Sequence, residues 1–137
     1  MIQKKYVLKR VGTAGLPSDK AGLSVTAAID ESRFVINYKN DLNAAQYEAA
    51  SAVDGAYLII AGAGTGKTRT LVYRVARLIE LGYDPKSIVL LTFTRKAANE
   101  MMNRAAMLLD NRCSKIMGGT FHSFANLTLR KYAKYAG

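Results

Sequence analysis

The sequence predicts an α/β fold, with a parallel sheet of about three strands flanked by helices and an N-terminal extension of uncertain structure. Three observations carry this prediction. Ala56–Ala61 (AYLIIA) and Ser87–Phe93 (SIVLLTF) are short apolar runs with the composition of strands buried on both faces. Each precedes a stretch whose apolar residues recur at helical spacing. A glycine-rich turn joins the first run to its helix. Strands that alternate with helices in this way pair in parallel through right-handed crossovers.

Residues 1–39 are the least regular part. Gly12, Gly15, Pro17 and Gly22 punctuate the apolar stretches Tyr6–Val11, Leu23–Ile29 and Phe34–Tyr38, which read either as short strands or as a loosely packed extension. Regular patterning begins near Leu42. Asn43 can cap a helix that turns Tyr47, Ala50 and Val53 inward. After the glycine loop, Leu71, Val75, Leu78 and Ile79 share one helical face, and Gly82 and Pro85 end that helix. Ala97–Leu109 reads as the next helix, with Met101, Ala105 and Leu108 inward. Lys115–Thr120 is a candidate third strand, and a last helix runs from Phe121 towards Tyr135.

Composition narrows the function classes. Cys113 is the only cysteine and His122 the only histidine, which argues against a disulfide framework, a Cys/His zinc site and a Ser-His-Asp triad. Neither a signal-peptide core nor an apolar run of bilayer length is evident, so the expectation is a soluble cytoplasmic chain without a membrane partner. The net charge is +10, and it is unevenly distributed. Residues 1–63 carry 7 Lys/Arg against 6 Asp/Glu, whereas residues 64–137 carry 13 against 4. Clustered cations of this kind suit a polyanion, because they displace condensed counterions from a phosphate backbone; a solubilising surface is the plainer alternative.

The loop Ala61-Gly62-Ala63-Gly64-Thr65-Gly66-Lys67-Thr68 is the most specific chemical signal. A triphosphate concentrates negative charge and demands many donors in a small volume. Gly62, Gly64 and Gly66 let successive backbone N–H groups converge, and the helix that follows adds the positive end of its dipole. Lys67 supplies a full charge to the outer phosphates, and Thr68 a hydroxyl for Mg2+. Hydrolysis needs more, above all an acid at the end of another strand. Beyond Phe93 only Glu100 and Asp110 are acidic, both within or ending the helical stretch. Asp30 and Glu31 end an apolar run in the irregular region and read better as a strand end with a turn. The loop is therefore expected to bind ATP without turning it over.

Four segments in order resemble the UvrD/Rep-like superfamily 1 DNA helicases. Leu42–Ala49 (LNAAQYEA) resembles their Q motif, and Ala61–Thr70 (AGAGTGKTRT) their motif I. Leu91–Met101 (LTFTRKAANEM) resembles motif Ia, and Gly119–Phe124 (GTFHSF) motif Ib. The resemblance implies a partial RecA-like domain over residues 40–137, the N-terminal part of helicase domain 1A, and assigns nothing to residues 1–39.

It also implies roles. Gln46 would read the adenine edge, a role the motifs that follow favour over the alternative that, three residues after Asn43, it simply closes a capping box. Gly62, Ala63, Gly64, Thr65, Gly66, Lys67, Thr68 and Arg69 would complete the ATP site. Lys67 and Thr68 would be its catalytic pair and Arg69 would lie near the base or ribose. Phe93, Thr94, Arg95, Lys96, Thr120, His122 and Ser123 would face single-stranded DNA. Phe93 could instead pack in a core, and Arg95 stands where the family most often has asparagine. The parent would be an ATP-dependent DNA helicase, a hydrolase of DNA repair type. The acidic pair, the arginines sensing the γ-phosphate and the adenine-stacking aromatic belong to the family's later motifs. The chain is thus expected to be a monomeric piece that needs the remainder of the helicase, with its second RecA-like domain, to hydrolyse ATP and unwind DNA. A DNA-binding module with a relict loop and a small P-loop kinase are the competing readings.

Overall fold

The structure is a computed structural model, and it describes residues 7–11, 30–53 and 55–135. The stretch Leu23–Ile29 lies outside the described residues. In chain order the elements are β1 (Val7–Val11), α1 (Tyr38–Asp41), α2 (Ala44–Ser51), β2 (Ala56–Ile60) and α3 (Lys67–Glu80). There follow β3 (Val89–Thr92), α4 (Arg95–Leu109), β4 (Met117–Thr120) and α5 (Phe121–Tyr132). Short 3-10 turns cover Glu31–Arg33, Pro85–Ser87, Asp110–Lys115 and Ala133–Tyr135. Contacts divide the chain into two compact units, residues 1–70 and 71–137.

In the first unit β1 pairs with β2 in an antiparallel ladder, Val7 opposite Ile60 and Val11 opposite Ala56. This corrects the expected sheet. The run Ala56–Ile60 is a strand, but its partner is Val7–Val11, and the described parallel ladder contains two strands rather than three. The run is not buried on both faces either, since Leu58 and Ile60 are each 50% exposed while Tyr57 and Ile59 are half-buried. An apolar composition states that a strand can be covered, not which strand or helix covers it.

Phe34–Tyr38 forms no strand. It runs as irregular backbone into α1, where Asn37 caps the helix by accepting from the Asn40 N–H at 3.2 Å. Ile36, Tyr38 and Leu42 are buried, and the Phe34 ring meets that of Tyr38 edge-on at 5.8 Å between centroids. Asn43 caps α2 as expected, but the buried residues of that helix are Gln46, Ala49 and Ala50. Tyr47 is only half-buried because its hydroxyl donates to Glu31 at 2.6 Å, and Val53 lies beyond the end of the helix.

In the second unit β3 and β4 form a parallel ladder, with Val89 opposite Met117 and Thr92 opposite Thr120. Helix α4 packs on both strands. It buries Ala98, Met101, Ala105 and Leu109, so the inward stripe is set by i, i+3/i+4 spacing from Ala98 and leaves Leu108 half-buried. The thiol of Cys113 is buried and donates to the Ala105 carbonyl at 3.2 Å. Helix α3 begins in the first unit and ends in the second. Val72, Val75, Ala76 and Ile79 are buried along it, whereas Leu71 and Leu78 are half-buried. Its end is sharp. The Gly82 N–H reaches the Ile79 carbonyl and the Tyr83 N–H reaches that of Leu78, both at 3.0 Å, with Gly82 at φ 91°.

Candidate nucleotide and DNA sites

The loop of residues 61–66 links β2 to α3, the strand–loop–helix order that phosphate binding requires. Gly64 and Gly66 have φ of 70° and 91°, a left-handed backbone that turns their N–H groups in a direction other residues rarely allow. Lys67 opens α3 and curls back over the loop, its Nζ donating to the carbonyls of Ala61 and Gly62, each at 2.7 Å. The Thr65 hydroxyl donates to the Gly62 carbonyl at 2.7 Å, which closes the loop on itself. Gly62, Ala63, Gly64, Lys67, Thr68 and Arg69 are exposed. Thr70 is buried, its hydroxyl donating to the Gly66 carbonyl at 3.2 Å, so it anchors the first turn of α3.

Gln46 joins this site from α2. It forms the capping box that its position allowed: its N–H donates to Asn43 Oδ1 at 2.9 Å, and its Oε1 accepts from the Asn43 N–H at 3.1 Å. Its Nε2 also donates to the Thr65 carbonyl at 3.1 Å. Arg69 donates from Nη2 to the Asp41 carbonyl at 2.8 Å. The sequence pointed to Gln46 and Arg69 but not to the main chain of Asp41 and Thr65 as their partners, since a carbonyl contact leaves no side-chain signature.

Asp30 and Glu31 are structural. Asp30 caps the turn at Glu31–Arg33, accepting from the Ser32 hydroxyl and N–H, and these hydrogen bonds hold its carboxyl below the ordinary aspartate range. Glu31 accepts from Tyr47 and pairs with Lys39 at 3.5 Å. A general base working near neutral pH needs the opposite tuning from that of Asp30.

The candidate DNA residues collect in the second unit, at the C-terminal end of the β3–β4 ladder. Because Thr92 stands opposite Thr120, the segments that leave the two strands, Phe93–Lys96 and Phe121–Ser123, start side by side. Phe93 is 85% exposed, so the core-packing alternative is overturned. Thr94 caps α4, its hydroxyl accepting from the Ala97 N–H at 3.1 Å, and Arg95 and Lys96 are exposed on the first turn. Thr120 caps α5 in the same way, accepting from the Ser123 N–H at 3.2 Å with the Ser123 hydroxyl 2.9 Å away. Thr120 is only 8% exposed, whereas His122 and Ser123 are exposed. Two helix N-termini thus open at one sheet edge. Phe121, 59% exposed, belongs to the same edge; the sequence contained it within a motif but offered only helix periodicity to place its ring.

Among the described residues, no group of three or more His, Cys, Asp or Glu side chains could hold a metal ion. Among the described residues, no helix is long and apolar enough to cross a membrane.

A glycine loop between strand and helix, closed by its own lysine, is the arrangement of P-loop proteins. Residues 42–137 match the family described as the UvrD/REP helicase N-terminal domain, and the chain belongs to that family. It is 41% identical over 99 residues to the ATP-dependent DNA helicase PcrA of Staphylococcus aureus, covering 72% of this chain and 14% of that protein. It is 43% identical over 100 residues to the ATP-dependent DNA helicase PcrA of Leuconostoc citreum, covering 72% of this chain and 13% of the relative. Identity to the DNA helicase II of Rickettsia typhi is 43% over 95 residues, 69% of this chain and 14% of that one. The chain therefore spans about a seventh of the length of these relatives.

Proposed function

We propose that this chain is the N-terminal ATP-binding portion of an ATP-dependent DNA helicase that moves along single-stranded DNA. Residues 40–137 are then part of a RecA-like domain, and residues 1–39 an extension. The observation that carries the reading is the loop of residues 61–68, where Gly64 and Gly66 take left-handed backbone and Lys67 stands at the start of a 14-residue helix. Gly62 adds support. It is not among the glycines of positive φ, and a Cβ built there would meet nothing nearer than Thr65 Cγ2 at 3.7 Å. Neither backbone strain nor internal packing calls for glycine at that position, whereas close approach of a phosphate would.

The residues present fit a triphosphate with its magnesium. Lys67 would exchange the two loop carbonyls for phosphate oxygens, which are more negative acceptors. The loop N–H groups and the start of α3 would hold the remaining charge, and the exposed Thr68 hydroxyl would help hold Mg2+, which would supply positive charge against that of the triphosphate. Hydrolysis would need an acid and a closing second lobe from the rest of the protein. Asp30, Glu31 and Glu100 are engaged elsewhere, Glu100 with Arg104 on α4. On the DNA side, an exposed Phe93 beside Arg95 and Lys96 combines a flat stacking surface with cations, as sequence-tolerant single-strand binding requires. A soluble, cytoplasmic setting goes with this function.

Titration of a fluorescent ATP analogue against this chain and against Lys67→Ala tests the reading. Binding should weaken at least tenfold in the variant; equal affinities would remove the phosphate-loop assignment. Steady phosphate release by the isolated chain would overturn the binding-only role.

A further inference from the structure

Residues 64–137 carry 13 Lys/Arg, and the sites proposed above take up only Lys67, Arg69, Arg95 and Lys96 of them. Three of the others meet at the opposite end of the β3–β4 ladder. Because Val89 stands opposite Met117, the segments that enter the two strands run side by side, as do those that leave them. The two entering segments line a cavity of about 450 Å3, Tyr83, Asp84 and Lys86 from the first and Arg112 and Lys115 from the second. That volume falls within the range of sites that hold small ligands or groups.

Both walls are held by hydrogen bonds. The Ser87 N–H donates to the Asp84 carbonyl at 2.8 Å and the Ile116 N–H to that of Cys113 at 3.2 Å. The Met117 N–H donates to the Ile88 carbonyl at 3.2 Å, which ties one segment to the other. Cys113 is buried between Arg112 and Lys115 in the chain and bonds the Ala105 carbonyl of α4, which anchors the second wall. Lys86, Arg112 and Lys115 are thus exposed side chains on fixed backbone.

Charge selects the ligand. Among the described residues the lining sets three cations against one carboxylate, and that carboxylate is engaged. Asp84 Oδ1 accepts from the Lys86 N–H at 3.0 Å and caps the turn at Pro85–Ser87. Like charges converging on one cavity repel, and an anion seated among them replaces repulsion by attraction. Three cations spread over two segments suit the oxygens of successive phosphates. Tyr83, 40% exposed, adds a ring, and rings beside cations are what a single nucleic-acid strand engages. A free polyphosphate offers the same oxygens but has no base to stack.

We propose that Lys86, Arg112 and Lys115 form a second phosphate-binding site, which takes the phosphodiester backbone of single-stranded nucleic acid at the sheet end opposite Phe93 and Phe121. This rests on the DNA-binding reading above. A strand held at both ends of the ladder follows a longer path over the second unit than one edge provides.

Proton–nitrogen correlation spectra of this chain, titrated with a long oligothymidylate and separately with inorganic tripolyphosphate, locate each ligand. Oligothymidylate should shift the amides of Tyr83, Lys86 and residues 112–116 together with those of residues 93–96 and 121–123. The double variant Lys86→Gln/Lys115→Gln removes two phosphate contacts; Arg112 takes part in an interaction within the chain and stays in place. The slope of log affinity against log salt should flatten by about 1.4, at about 0.7 per contact on a single strand. Between about 50 and 200 mM salt the variant should therefore lose affinity about 7-fold less steeply. Shifts confined to residues 93–96 and 121–123, or an unchanged slope, would refute the second site and leave the first edge standing. If oligothymidylate shifts no amide, the DNA-binding reading fails and the second site with it. If tripolyphosphate shifts residues 112–116 at a lower phosphate concentration than oligothymidylate, the cavity takes free polyphosphate and the nucleic-acid assignment is wrong.

Discussion

Thr92 and Thr120 stand opposite each other on the last rung of the β3–β4 ladder, and the chain after each turns into a helix N-terminus. Thr94 caps one of these helices and Thr120 the other. Parallel pairing in this register is what brings two segments 28 residues apart to one edge. Open parallel sheets bind ligands at such strand ends.

Phe93 is the first residue to test there. Its ring is 85% exposed, so Phe93→Ala should change unfolding free energy by less than about 0.5 kcal/mol. Loss of one stacking surface should nevertheless weaken binding of a labelled oligothymidylate by about 1–3 kcal/mol. Fluorescence anisotropy beside a urea melt reads both quantities. Unchanged anisotropy titrations would take Phe93 out of the proposed DNA surface, and binding that stays constant from low to moderate salt would contradict the phosphate contacts proposed for Arg95 and Lys96.

Thr120 should behave in the opposite way. Its hydroxyl is buried and accepts from the Ser123 N–H, so Thr120→Ala should destabilise the chain by about 1 kcal/mol, the usual worth of an N-cap. Thr120→Ser should keep most of that stability. Equal midpoints for alanine, serine and threonine in urea would show that the cap contributes nothing.

Gly82 ends α3 with φ 91°, yet a Cβ built there meets nothing within 4 Å. Gly82→Ala should therefore lose about 1 kcal/mol from backbone strain alone, and Gly82→Asn less, since asparagine tolerates left-handed backbone better. Thermal melts of the two variants would separate them. An alanine variant as stable as the glycine chain would refute the strain argument.

Gly118 presents a steric case instead. A Cβ on this β4 residue would come within 2.6 Å of Met102 Cγ and Sδ on α4. Gly118→Ala should cost about 1 kcal/mol, the low end for overpacking, because a methionine side chain can swing aside. In a Met102→Ala background the same substitution should cost nothing. Additive losses in that cycle would mean that the two sites do not touch.

Local information was legible in the sequence wherever it was sufficient. The strand–loop–helix at residues 56–80, the stop at Gly82, the cap at Asn43 and the stripe Met101–Ala105 all rest on contacts within a few residues. So does the glycine loop proposed to bind phosphate, whose glycines, lysine and threonine are adjacent in the chain. Partners distant in the chain were not legible. The three-stranded parallel sheet became a parallel pair and a separate antiparallel pair, because nothing in AYLIIA names Val7–Val11 as its neighbour. Tyr47 was assigned inward by spacing, but a hydroxyl that can reach Glu31 prefers the boundary.

By itself, then, the sequence determined the strand–loop–helix that we propose as the triphosphate site, since its glycines and the lysine that closes it are set by covalent order. It also determined that the strongly basic part of the chain begins with that loop. Only the tertiary structure decided that Gln46 holds Asn43 on one side and Thr65 on the other, and that Arg69 turns to Asp41. It alone placed the Phe93 ring in solvent rather than in a core. The reason is physical: hydrogen bonds to main-chain carbonyls and the cover over a side chain are set by chain segments far apart in sequence, and composition does not encode which segments those will be.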